Sequence, residues 1–280
     1  MPAFQPACSR FPEELLHAIT TLVLGQFHSA TGTRRFCVRI VRMKSVAELK
    51  VKLFADGAEK QSMLDLYGNP LIQGFTTNPT LMRKANITDY QAFARDILSV
   101  IADRPISFEV FADEFDEMER QARLIDSWGP NVYVKIPVTN TRQESACPLI
   151  NKLSHSNIKV NVTAILALDQ VREVVCALEG GAPSNVSVFA GRVADTGVDP
   201  VPLMAEAVRI LSRHPQIELI WASPRELLNV FQADAIGCHI ITATPDILKK
   251  LSLVGKDLRE YSLETVHMFA NDAARSGFTL

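Results

Sequence analysis

A chain of 280 residues that is 47% hydrophobic and 21% charged has enough apolar material for a sizeable core, which excludes a disordered protein. Its net charge of −2 gives no general attraction to nucleic acid or to an anionic membrane, so a site for an anionic substrate has to be local. Cys8, Cys37, Cys147, Cys176 and Cys238 are scattered, form no CxxC pair and stand at no zinc-ligand spacing with the histidines, which reads as reduced thiols in a cytoplasmic protein.

Residues 1–42 differ from the rest of the chain. They carry Arg10, Arg34, Arg35, Arg39 and Arg42 against Glu13 and Glu14, whereas the sequence from Met43 onward is net acidic. An arginine-rich targeting segment is one reading. Sequence upstream of a working start at Met43 is the other, since the two glutamates break the layout of a signal peptide. Either way, residues 1–42 are expected to be an extension, disordered or outside the working protein, and residues 43–280 a single domain.

From Met43 onward, strand-like runs recur at Leu49–Asp56, Gln73–Asn78, Ile106–Ala112, Asn131–Val138, Ile158–Ile165, Val186–Val193, Glu218–Ser223 and Cys238–Thr244. Amphipathic stretches separate them: Glu114–Trp128, Ala167–Leu178, Pro202–Ser212, Pro224–Ala233 and Pro245–Leu251, several with proline near the first turn, where its missing N–H costs nothing. Eight strands alternating with helices predict an α/β fold, a (β/α)8 TIM barrel. A doubly wound open sheet is the alternative, but no GxGxxG follows the first strand and no Walker A sequence occurs. Asp257–Ser276 predicts a C-terminal helical tail, with Leu258, Tyr261, Leu263, Val266, Met268 and Phe269 available for burial.

The fourth strand contains the chain's main energetic anomaly. Lys135 is the single charge in Val132-Tyr133-Val134-Lys135-Ile136-Pro137-Val138-Thr139, where an ionised ammonium in a low-dielectric site costs several kcal/mol, roughly. The lysine can find a carboxylate, or it can lose its proton and become a nucleophile able to condense with a carbonyl. A structural lysine reaching solvent at a strand end is the plain alternative. Chemistry in such barrels gathers at the carboxyl ends of the strands. Those ends supply Asp56, Asn78, Glu109, Lys135, Asn161 with Thr163, Ser187 with Arg192, and Ser223. Singly, each has an ordinary explanation: Asp56 a helix cap, Asn78 a strand-to-helix turn, Thr163 strand propensity, Arg192 a surface charge. Together they converge on one cavity.

Several segments resemble the transaldolases: Phe54-Ala55-Asp56, Gly74-Phe75-Thr76-Thr77-Asn78-Pro79-Thr80-Leu81, the Lys135 strand, Asn161-Val162-Thr163, Ser187-Val188-Phe189-Ala190-Gly191-Arg192 and Ala222-Ser223-Pro224-Arg225. The similarity runs in order from about Leu49 to Thr244, and the length after Met43 is closest to the short transaldolase and fructose-6-phosphate aldolase group. It implies class I chemistry with no metal or cofactor. Lys135 is then the Schiff-base lysine, Asp56 the acid/base, and Glu109 a carboxylate acting through a water held jointly with Thr163. Asn78, Asn161 and Ser187 are implied as contacts of the three-carbon fragment, and Arg192, Ser223 and Arg225 as the phosphate end. Pro224 departs from the bulkier residue expected there, so Arg225 is equally read as a solvent-facing residue of a helix's first turn.

Within the group, Glu109 and Phe189 follow the transaldolase pattern, where aldolases tend to have glutamine and tyrosine. The expected reaction moves a dihydroxyacetone unit from sedoheptulose 7-phosphate to glyceraldehyde 3-phosphate. A fructose-6-phosphate aldolase is the second reading, and a barrel that binds sugar phosphates without turnover is the third. Expected partners are small sugar phosphates and further copies of the chain, with neither nucleic acid nor membrane.

Overall fold

The computed structural model describes residues 44–277 and 279. The extension expected over residues 1–42 lies outside the described residues. Eight parallel strands follow one another around a closed barrel: β1 (Lys52–Asp56), β2 (Ile72–Thr76), β3 (Ile106–Glu109), β4 (Val132–Pro137), β5 (Val160–Ile165), β6 (Ser184–Val188), β7 (Ile217–Trp221) and β8 (Ile240–Ala243). β8 pairs in parallel with β1, so the barrel has no free edge. This is the (β/α)8 barrel that the sequence predicts.

The helices are α1 (Lys60–Tyr67), α2 (Pro79–Lys84), α3 (Tyr90–Val100), α4 (Phe115–Asp126), α5 (Cys147–His155) and α6 (Leu168–Leu178). They continue with α7 (Ala190–Asp195), α8 (Pro200–Leu211), α9 (Leu228–Ala235), α10 (Pro245–Lys249) and α11 (Leu258–Ser276). Side chains alternate across each strand, so one set faces the helices and the other faces the barrel axis. Ile106 and Phe108 of β3, Val132, Val134 and Ile136 of β4, and Val160 and Val162 of β5 are buried in the layer under the helices. The intervening Ser107, Glu109, Lys135, Asn161 and Thr163 are left to the interior.

Several strand ends and helix starts differ from the sequence expectation. The predicted sixth strand, Val186–Val193, is cut at Val188, and Arg192 lies inside α7 rather than at a strand end. The reason is a close approach: a Cβ on Gly191 would sit 1.6 Å from the Ser223 carbonyl oxygen, so only glycine lets α7 start against the β7 exit. α8 starts at Pro200, with the Asp199 carboxylate accepting from the Val201 N–H, and α9 starts at Leu228 rather than Pro224. β1 starts at Lys52 rather than Leu49. Its approach is held by Asp234 of α9, which accepts from the Lys50 and Val51 N–H groups at 2.6 and 3.0 Å and pairs with Lys44.

α11 is present, capped by Asp257, but none of its residues is buried in the chain. Leu258, Leu263, Val266 and Phe269 are between 57% and 80% exposed, so the burial expected for them is not found within this chain.

At the amino end of the strands, a cavity of about 210 Å³ is lined by Lys52, Phe54, Gln73, Tyr133, Asn185 and Glu218, among others. Lys52 donates to Glu218 there at 2.7 Å. Phe54 forms the layer above it. Its ring lies over Gly74, where an added Cβ would meet ring carbons at 2.4 to 2.7 Å.

Candidate active site

The carboxyl ends of the strands gather the predicted polar residues around Lys135. Lys135 is 6% exposed. Its Nζ lies 3.3 Å from Glu109 Oε2, on the neighbouring strand at the same level, and donates to the Thr77 carbonyl at 3.2 Å. Of the two resolutions open to a buried lysine, the structure therefore shows the carboxylate. That contact is longer than a good charge-assisted hydrogen bond, and the amine remains between two oxygens rather than locked to one.

Burial pushes the Glu109 carboxyl above its ordinary value of 4.5, and the nearby Asp56 charge adds to this, against the pull of Lys135. Asp56, the last residue of β1, is raised above its ordinary 3.8 by the same loss of hydration, opposed first by the Lys135 charge and then by a hydrogen bond from Thr76. Two carboxyl groups that hold protons more tightly than usual thus face one amine, the arrangement that suits acid/base work near neutral pH.

Two strings of hydrogen bonds flank the lysine. Thr76 Oγ1 donates to Asp56 Oδ1 at 2.7 Å and lies 2.5 Å from Thr242 Oγ1, tying β1, β2 and β8 together. On the other side, Ser187 donates to Asn161 Oδ1 at 2.7 Å, and Asn161 Nδ2 donates to Ser107 Oγ at 2.9 Å, tying β6, β5 and β3. Asn161 and Ser187 are thus where the sequence expects them. Thr76, Thr242 and Ser107 are not among the residues the sequence singles out, although Ser107 stands two residues before Glu109 and so shares its face.

Thr163 is 2% exposed, and its hydroxyl is among the described buried polar atoms without a hydrogen-bond partner. A buried hydroxyl left unpaired is costly in a purely structural role. The next residue, Ala164, has a φ of 62°, and the pairing of β5 with β6 shifts register between Val162 and Ile165. This is a β-bulge built on a non-glycine residue in the left-handed region, a strained local choice that sets the direction of Thr163. Asn78 caps α2 by accepting from the Leu81 N–H at 2.9 Å, and the preceding carbonyl is the one Lys135 binds. The helix cap is therefore formed, and the backbone just before it reaches the amine. Tyr90 supports the end of β3, donating to the Glu109 carbonyl at 3.0 Å and packing edge-on against Phe108 and Trp128.

The expected phosphate group forms a second cluster. Arg192 on α7 is exposed and lies over the Phe189 ring at 5.4 Å. Ser223 has a φ of 59°, and its hydroxyl accepts from Arg225 Nη1 at 3.0 Å. Arg225 precedes α9 and is turned toward Ser223 and Asp195 rather than lying in a helix's first turn.

A family model described as transaldolase/fructose-6-phosphate aldolase matches residues 53–280. A "Probable transaldolase" of Dehalococcoides mccartyi is 33% identical over 202 residues, covering 72% of this chain and 90% of that protein. A "Probable transaldolase" of Brucella anthropi is 32% identical over 228 residues, covering 81% of this chain and 98% of that protein. In solved structures, the fold is similar to that of an HpcH/Hpal aldolase/citrate lyase family protein from Burkholderia cenocepacia. The TM-score is 0.52 at 12% identity, covering 78% of this chain and 95% of the other, a likeness of fold alone.

Proposed function

The chain belongs to the transaldolase/fructose-6-phosphate aldolase family and is an enzyme of the transaldolase type; from that premise we propose that it transfers a dihydroxyacetone unit between sugar phosphates through an imine on Lys135. The donor in this reading is sedoheptulose 7-phosphate and the acceptor glyceraldehyde 3-phosphate, giving erythrose 4-phosphate and fructose 6-phosphate, a step of the cytoplasmic pentose phosphate pathway. The observation that supports it best is the buried Lys135 amine held between the Glu109 carboxylate and the Thr77 carbonyl, with Asp56 within its electrostatic reach.

With its proton passed to Glu109, the Lys135 amine adds to the ketone carbon of the donor, and loss of water gives a protonated imine. Asp56 takes the proton of the C4 hydroxyl as the C3–C4 bond breaks. The electron pair of that bond passes to the imine as an enamine, and the aldose phosphate leaves. The enamine carbon then attacks the acceptor aldehyde, whose oxygen recovers the proton. Glu109 serves the proton transfers of imine formation and hydrolysis, with a water held also by the otherwise unpartnered Thr163 hydroxyl. Asn161, Ser187 and Asn78 hold the hydroxyls of the three-carbon fragment. Arg192, Ser223 and Arg225 take the phosphate by forked and hydroxyl hydrogen bonds. Phe189 offers no proton-donating group to discharge the enamine into water, which favours transfer over release. The exposed apolar side chains of α11 support a homo-oligomer in which this helix packs on a neighbouring copy.

Borohydride added with fructose 6-phosphate is expected to leave a three-carbon adduct on Lys135, read by peptide mass spectrometry. An unmodified Lys135 peptide from folded protein would overturn the reading. Rapid release of free dihydroxyacetone without erythrose 4-phosphate would replace transfer by aldol cleavage.

A further inference from the structure

Asp195 closes α7 one turn after Arg192, so the two share a helix face. Arg225 Nε donates to Asp195 Oδ1 at 2.8 Å and its Nη2 donates to Oδ2, while Nη1 donates to Ser223. The carboxylate thus occupies one edge of the guanidinium fork by the same bidentate geometry that a phosphate uses. The Arg225 hydrogen bonds, and to a lesser degree the Arg225 and Arg192 charges, hold its carboxyl below the ordinary carboxylate range. The side chains of Arg225 and Asp195 are 46% and 53% exposed, so water and salt screen the pair and a stronger anion can displace it. Two guanidinium groups and one carboxylate leave a single net positive charge where a dianion is to bind.

We propose that Asp195 is a resident counter-anion that holds Arg225 in place in the free enzyme and sets the affinity of the phosphate end by competing with the phosphate of the sugar. The inference rests on reading Arg192, Ser223 and Arg225 as that phosphate end. Asp195 acts through Arg225 and is a positioning residue. It preorganises the fork and weakens the hold on product, favouring release over tight binding.

The test uses the full chain with inorganic phosphate as a competitive inhibitor, and fructose 6-phosphate against unphosphorylated fructose as donors. Asp195→Asn is expected to lower the inhibition constant for phosphate and the KM for fructose 6-phosphate by roughly threefold to tenfold. The kcat/KM for fructose should stay unchanged, and Asp195→Glu, which keeps the charge, should stay near the parent for all three. Asp195→Ser provides the same loss of charge if the asparagine variant does not fold. An unchanged or higher inhibition constant in the charge-removing variants overturns the proposal. Arg225→Met and Arg192→Met separate the two claims. If they weaken phosphate inhibition and Asp195→Asn leaves it unchanged, only the role of Asp195 fails. If neither weakens it while borohydride still traps Lys135, the phosphate end itself is misassigned, and the proposal falls with it.

Discussion

The two mouths of the barrel each carry a lysine–glutamate pair, and the pairs are built differently. Lys52 and Glu218, at the amino end of the strands, meet at 2.7 Å with side chains 42% and 32% exposed. Lys135 and Glu109, at the carboxyl end, are farther apart at 3.3 Å although their side chains are only 8% and 15% exposed. A pair that served stability alone would be tightest where burial is greatest, since desolvation there has to be offset by close contact. The buried pair is instead the looser one. Near it lie the Thr76–Asp56–Thr242 string, the Ser187–Asn161–Ser107 string and the buried Thr163 hydroxyl, groups with polar atoms left to serve a bound molecule. The contrast sets an exposed, close ion pair at one mouth against a buried, looser one at the mouth where the proposed chemistry lies.

That contrast is broken most severely at Lys135. Lys135→Met is expected to abolish turnover and borohydride trapping while the protein stays folded, because an unbranched apolar chain of similar length suits an apolar strand; a circular dichroism melt checks the folding. Glu109→Gln should lower kcat by roughly 10²- to 10⁴-fold with KM little changed, since the amide keeps the shape and cannot move the proton; steady-state kinetics checks this. In the parent enzyme, the acid limb of kcat/KM should lie above the ordinary carboxylate range, following the raised values of Asp56 and Glu109.

Asp56→Asn should also lose activity, and it should gain stability at neutral pH. The folded state holds the Asp56 proton better than the unfolded chain does, so the group's stabilising contribution is complete below the ordinary 3.8 and is lost as pH rises through the folded value. Melting temperatures from pH 3 to 8 should therefore fall less steeply for the asparagine variant, and a steeper fall would refute this account. Gly74→Ala tests the partition between the mouths. With the Phe54 ring 2.4 Å from the new methyl, the expected cost is about 1–3 kcal/mol by denaturant titration. Smallest of all, Lys52→Met should change stability by less than about 1 kcal/mol, and activity by less than about twofold.

The barrel was legible in residue spacing, and so was the gathering of polar residues at the carboxyl ends of its strands, whereas their roles came from the resemblance. Alternation along β4 and β5 separates Val134 and Val162 from Lys135 and Asn161, and strand ends announce Asp56 and Glu109. What escaped depends on relations between distant segments. Thr242 joins the Asp56 string only because β8 closes onto β1. Asp195 matters only because Gly191 lets α7 approach the Ser223 turn, the same approach that ends β6 early and moves Arg192 into a helix. The Ala164 bulge also has no local signal, since alanine ordinarily avoids that conformation.

The Asp234 anchor has a consequence in time. The N–H groups leading into the first strand are satisfied by a side chain more than 180 residues later, and that strand's second edge waits for β8. On a ribosome, the start of the barrel must therefore emerge and persist half-made until nearly the whole domain has been synthesised. Released fragments that stop before α9 would carry an open β1 edge, the kind of surface that chaperones bind and that aggregates grow from.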